Sequence, residues 1–383
     1  MAKIYKLQNQ FKHYEWGSCD LIPEFLGVEN SKKNPYAEMW IGTNRGAPSK
    51  ARGIAFGDEL TDLLEISGEL PFIFKLLGVE KPLSIQAHPN QAQAAEGFKR
   101  EEMEGLSLNS PRRNYKDPNQ KSEILCALSP FTLMAAFRKP DEIRGSLEEL
   151  ISRIPQIKEI ITTLSRALRS DSLKDFFQTL FSLSYMEIEY ITEFINEIEI
   201  GESRAGISLE QWKLTKELAR LYPKEVAILA PLFLNFITLE PGQFIFIPPG
   251  TLHSYISGFG VELMTNSDNV LRCGLTPKHT DIKELIKILD FKPCLPAVSS
   301  LNVSSWSRFS PPDSEFTLAF ARGDGGEKPF PEKGPVACVV VEGELRACGT
   351  IIKKGESFFI PKDAGEIAFS GNYALYAALA PKE

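Results

Sequence analysis

The chain has 383 residues, 43% hydrophobic and 24% charged. That is a globular mix long enough for two or three domains, and it excludes a chain disordered in its ground state. Lys and Arg number 43 against 50 for Asp and Glu, a net charge of −7, so no bulk attraction draws the chain to nucleic acid or an anionic membrane. A small anionic substrate is compatible with this sign if Lys and Arg cluster locally.

The N-terminal residues MAKIYKLQNQFKHYEW lack the apolar core of a signal peptide. The most apolar stretch, Val226 to Leu239, is broken by Pro231 and Asn235 and falls short of a membrane-spanning helix. Six scattered cysteines (Cys19, Cys126, Cys273, Cys294, Cys338 and Cys348) form no CxxC pair. They read as reduced, buried thiols of a cytoplasmic protein.

In chain order, residues 1 to about 137 are rich in Gly, Pro and short apolar runs such as Phe72–Leu77, which predict strands. From about 140 to 230 the pattern becomes helical. Leu147, Leu150, Ile151 and Ile154 form one apolar stripe, and Leu173, Phe176, Phe177, Leu180 and Phe181 form another with Asp171 as its cap. These stripes read as helix core and carry no chemistry. Strand texture returns at 231–280 with Phe244–Pro248, and again from about 285. The Ser-, Pro- and Gly-rich stretch 300–335 predicts exposed loops, and 336–380 predicts further strands. The helical part thus reads as an insertion within a β protein.

One internal repeat stands out. Gly242–His253 runs Gly, five residues, Pro, one residue, Gly, two residues, His. Gly355–Glu366 repeats the Gly-to-Pro spacing, with Asp363 for the second Gly and Glu366 for the His. A strand entering a tight Pro-Gly turn suits a jelly-roll barrel, and two copies predict two barrels. Glu366 has no partner ligands in its motif, so the second barrel is expected to bind no metal.

Four histidines are present: His13, His88, His253 and His279. Gln86 and His88 are two apart, which on a strand puts both on one face. Glu123 stands two beyond Lys121. Two His, a carboxylate and an amide oxygen make a plausible zinc site with room for substrate, and two His with one carboxylate also suit non-haem iron. The polar run Glu262–Lys278 offers Arg272 and Lys278 to a phosphate, or else a surface turn with ion pairs. Lys75 lies among Phe72, Phe74, Leu76 and Leu77, so it must either point outward or reach a buried anion.

The blocks Tyr14–Ser18, Ala37–Thr43, Phe72–Leu77, Leu83–Pro89, Lys121–Glu123, Ala136–Arg138, His253–Gly258 and Ser267–Lys278 follow in an order that resembles type I mannose-6-phosphate isomerase. The likeness is close over about residues 1–285 and architectural beyond. It implies a mainly β fold with an α-helical insertion: a catalytic cupin domain (1–137 and 231–285), a helical insertion (138–230) and a metal-free C-terminal cupin (286–383). It implies one zinc per chain on Gln86, His88, Glu123 and His253. It further implies an essential Arg272, an active-site Glu262, and Trp16, Lys75, Ser84, Lys121 and Lys278 near the sugar phosphate. Gln120 departs from the family, which usually has a His there, and cannot act as an acid or base.

The implied reaction interconverts mannose 6-phosphate and fructose 6-phosphate through a cis-enediol. Lys121 is the first candidate for the base, and Glu262 or a zinc-linked water are the others. A cupin dioxygenase and a non-catalytic sugar-phosphate sensor are the alternatives. The expected partner is a small sugar phosphate, with neither nucleic acid nor membrane, for a monomer or weak homo-oligomer.

Overall fold

Strands dominate both ends of the chain and helices its middle. The computed structural model describes residues 3–52, 60–168, 171–199, 206–301, 306–312 and 315–381. Within these residues the strands assemble into two antiparallel sheets.

The helical stretch contains Pro140–Arg153, Lys158–Ala167, Leu173–Leu180, Tyr185–Glu197 and Leu209–Leu221. The predicted stripes are its core: Leu147, Leu150, Leu173, Phe176, Phe177 and Leu180 are all buried. The cap of the third helix is corrected by one residue. Ser172 accepts the Asp175 N–H, whereas Asp171 receives Arg144. Ser184 and Ser208 cap the last two helices with full capping boxes, which satisfy otherwise unpaired N–H groups. These helices pack on the back of the first sheet, where Phe137 meets Phe177 and Phe233.

That first sheet contains Phe72–Val79, Glu123–Ala127 and the long strand His253–Thr265 side by side. Alternation sorts its residues. Phe72, Phe74, Leu76, Ile124 and Cys126 face a core shared with Phe316, Val339, Phe359 and Tyr376 of the second sheet. Leu77, Val79, Leu125 and Ala127 face the interior of the first. Cys126 Sγ lies 3.3 Å from Tyr376 Oη across that shared core.

The strand pairing crosses the domain boundaries drawn from sequence. Tyr5–Gln8 lies between Ser357–Ile360 and Lys50–Arg52 in the second sheet. In return, Val298–Ser300 pairs with Gln243–Ile247 in the first. The stretch expected to be exposed loops contains a long strand instead, Thr317–Pro329, paired with Ala368–Leu379; residues 302–305 and 313–314 of it lie outside the described residues. The region after 280 also opens with a helix, Ile282–Ile288.

The repeat is real in three dimensions. Gly242 and Gly355 both have φ 85°, a turn conformation that glycine adopts without a Cβ penalty. Each leads into a strand, Gln243–Ile247 and Ser357–Ile360, that stops at a proline. All six cysteines are free. Cys126, Cys273 and Cys338 are buried, but Cys294 is exposed, contrary to the uniform burial expected.

Candidate active site

The site lies inside the first sheet. In Ile85–Ala87, Ile85 and Ala87 are buried in the core shared with the helices, which turns Gln86 to the opposite face and into a cavity of about 520 Å³. Gln86 is paired in register with His253 on one side and Arg272 on the other. Glu123, first residue of its strand, lies opposite Met264 and Ile247.

The strand His253–Thr265 supplies two sets of residues. Tyr255 and Glu262 both line the cavity, although strict alternation would send them to opposite faces. A β-bulge between Tyr255 and Ser257 restores them to one face.

At the centre, Glu123 stands between two imidazoles. His88 Nε2 is 3.1 Å from Glu123 Oε1 and His253 Nε2 is 3.2 Å from Oε2. All three side chains are buried and together could hold a metal ion. His88 Nδ1 lies 2.7 Å from the Asn269 carbonyl and His253 Nδ1 2.9 Å from that of Thr251. A carbonyl accepts only a donor, so each ring carries a proton on Nδ1 and turns Nε2 toward Glu123 as the nitrogen open to a metal. Among the described residues, neither Nε2 has a hydrogen-bond partner. Burial, followed by Lys121, pushes His88 down to about 4, which keeps that ring neutral.

Lys121 Nζ lies 3.0 Å from Glu123 Oε1, and the Tyr255 hydroxyl donates to Oε2 at 3.2 Å. Burial alone would raise the Glu123 carboxyl. Lys121, His88 and the imidazole contacts outweigh it and hold the group well below the usual carboxylate range. Ser84 Oγ lies 3.4 Å from Gln86 Oε1.

Beside this centre is a second buried ionic group. Lys75 reaches a buried anion rather than pointing outward: its Nζ is 3.0 Å from Glu262 and 3.4 Å from Glu38, under the Trp40 ring at 4.8 Å. Trp40 Nε1 donates to the other Glu38 oxygen at 2.6 Å. Burial acts to lower the Lys75 ammonium, but Glu262 and Glu38 outweigh it, and the group is raised above the ordinary lysine value. Burial raises the Glu262 carboxyl above its ordinary value in spite of Lys75.

Arg272 is half-buried on the cavity wall. Neither Asp268 nor Glu262 pairs with it, and no hydrogen bond or ion pair is found for its guanidinium among the described residues. Burial lowers its pKa. Lys278 lines the mouth, with Nζ 5.5 Å from the Tyr14 ring, and Trp16 lines the same cavity, stacked on Tyr14. Gln120 does not line it; its backbone N–H donates to Gln91 Oε1 at 3.2 Å.

Nine of the eleven residues expected at the site therefore line one cavity, and His88 and His253 bracket Glu123 at its floor. Sequence reasoning missed Tyr255, Glu38 and Asn269. Tyr255 was within reach, being two residues beyond His253 on one strand. Asn269 acts through its backbone and leaves no such signal.

A family model described as "Phosphomannose isomerase type I, catalytic domain" matches residues 4–140. Over 97% of this chain and 98% of theirs, the mannose-6-phosphate isomerases of Salmonella typhimurium and Escherichia coli are 33% and 31% identical to it. This chain belongs to the mannose-6-phosphate isomerase family. Among the family's solved structures, the Salmonella typhimurium isomerase bound to fructose 6-phosphate and zinc superposes with a TM-score of 0.88 at 29% identity, covering both chains in full. These relatives are isomerases, and the oxygenase and sensor alternatives find no support in them. Among the described residues, no helix is long and apolar enough to cross a membrane.

Proposed function

We propose that this chain interconverts mannose 6-phosphate and fructose 6-phosphate, using one zinc ion held by Gln86, His88, Glu123 and His253. The convergence at Glu123 carries this reading. Two imidazole Nε2 atoms facing one carboxylate in a buried site need a cation or proton among them. A divalent ion suits this nitrogen and oxygen donor set, and the Salmonella typhimurium relative binds zinc and substrate.

Zinc bound there supplies Lewis-acid stabilisation of charge on the sugar's oxygens. The chain's own residues do the rest. Arg272, with no carboxylate partner among the described residues, offers its planar fork to an oxyanion or the phosphate, and Lys278 adds a second cation at the mouth. Lys121, beside Glu123, is the first choice to carry the proton between C2 and C1 through the cis-enediol. Glu262 is the competitor, because its raised pKa suits a base. Trp16 and Ser84 form the sugar's wall, and Lys75 holds Glu262 and Glu38 in place.

The repeat, with the two sheets, supports two jelly-roll barrels of the cupin type joined by the helical insertion, with the second barrel free of metal. A monomeric or weakly associating cytoplasmic enzyme, binding neither nucleic acid nor membrane, completes the reading.

The test is metal analysis combined with an isomerase assay. Chelation should abolish turnover and added zinc restore it, and His253→Ala should lose the ion. Full activity in a metal-free preparation would overturn the zinc assignment. Tight stoichiometric zinc in His253→Ala would remove His253 from the ligands.

A further inference from the structure

The cavity has a contributor outside the sheets. The helix Leu209–Leu221 ends at Tyr222, which lines the cavity. Three residues on, half-buried Glu225 reaches the turn Gly274–Thr276. Its carboxylate accepts the backbone N–H of Leu275 and, at 3.4 Å, that of Thr276.

Leu275 has φ 58°, in the left-handed region that a leucine enters at a steric cost. Successive N–H groups around such a residue form a hollow that binds an anion, and Glu225 fills it. The fit leaves little space: a Cβ added to Gly274 would stand 2.6 Å from Ala227 Cβ and 2.7 Å from a Glu225 carboxylate oxygen.

This turn separates Arg272 from Lys278. Arg272 lies in a strand paired with Ile85–Ala87, so its backbone is fixed from that side. Lys278 lies beyond the turn, exposed, with its ammonium near the Tyr14 ring.

We infer that Glu225 is a positioning residue for the sugar-phosphate site: by pinning the Leu275–Thr276 turn, it sets the place of Lys278 and the adjoining wall opposite Arg272. The inference rests on the phosphate reading of Arg272 and Lys278. Without the carboxylate, two N–H groups lose their acceptor and the left-handed Leu275 loses its restraint. Lys278 then no longer converges with Arg272 on one anion.

The experiment uses the full-length, zinc-loaded chain and mannose 6-phosphate. Glu225→Ala should raise KM by about tenfold or more, with kcat within a few-fold and zinc content unchanged. Glu225→Gln keeps one acceptor but turns an amide NH₂ toward the other N–H, so it should give a smaller rise. In a Lys278→Ala background, Glu225→Ala should add little, because both changes remove the same contact. If Glu225→Ala does not fold, Glu225→Gln carries the test. A folded variant with wild-type KM overturns the inference, as does full additivity with Lys278→Ala. If the wild type binds mannose 6-phosphate without turnover, Kd replaces KM. If it does neither, the functional reading itself fails, and the inference fails with it.

Discussion

The backbone carbonyl of Asn269 lies 2.7 Å from His88 Nδ1 and fixes that ring's tautomer and direction. Asn269 is wholly buried, and its side chain is bonded on every side. Its amide donates to the Asp117 and Asn119 carbonyls, each at 2.8 Å, and its oxygen accepts the Lys116 N–H at 2.6 Å. The side chain thus holds the carbonyl that holds the ligand. Asn269→Ala should weaken zinc binding by ~10–100-fold, the usual cost of losing an outer partner of a metal ligand. Competition with a chelating dye measures it, and unchanged affinity would sink the idea.

Arg272 provides the sharpest test of catalysis against mere binding. Among the described residues its guanidinium has no protein anion to release, so removing it should leave the fold largely untouched. Arg272→Ala should keep its zinc and its melting temperature while losing ~10²–10³ in turnover, a common cost for one preorganised donor. Arg272→Lys should recover only part, since lysine lacks the planar fork. Rate per folded, zinc-loaded molecule is the quantity to compare. A value near wild type would defeat the assignment.

Lys75 invites the opposite expectation. It stands between two buried carboxylates, and Lys75→Met would leave Glu38 and Glu262 facing each other without a cation. Removing one partner of a buried ionic group costs about 3–5 kcal/mol, to be read from urea unfolding. Adding Glu262→Gln to Lys75→Met should return part of that stability. If the double variant is no more stable than the single one, charge is not the cause.

Glu284 sets an acid limit on stability. Burial acts to raise its carboxyl, and Lys287, Tyr115 and Arg100 outweigh it, so its folded pKa is depressed below the ordinary 4.5. With the folded value lower than the unfolded one, its contribution is present above about pH 4.5 and is lost as pH falls through the folded value. Glu284→Gln should therefore be less stable than wild type at pH 7, with the gap closing on acidification. Unfolding curves at pH 7, 5 and 3.5 measure this, and a gap independent of pH would assign the effect to packing alone.

What could be read from the sequence was what is local or repeated. The helical stripes, the Gly-to-Pro repeat and the spacing of Gln86 from His88 are all encoded within a dozen residues. The ionic partners of Lys75 were not legible, because Glu38 and Glu262 reach it only through strand pairing across long loops. The β-bulge that brings Tyr255 and Glu262 to one face was hidden for the same reason. The Asp171 cap failed because Ser172, one residue on, had the extended backbone that a cap needs. The glycines and polar residues of Thr317–Pro329 predict a loop and mask a strand whose second half lies exposed.

The strand Tyr5–Gln8 pairs with Ser357–Ile360. A ribosome adding ~5–20 residues per second needs about 20–70 s to travel from one partner to the other. During that interval Tyr5–Gln8 and its neighbour Lys50–Arg52 have an open edge, available to any other extended strand nearby. The second sheet therefore closes only after Ser357–Ile360 has emerged, and crowding on a polysome endangers that edge more than it does the helices of the insertion.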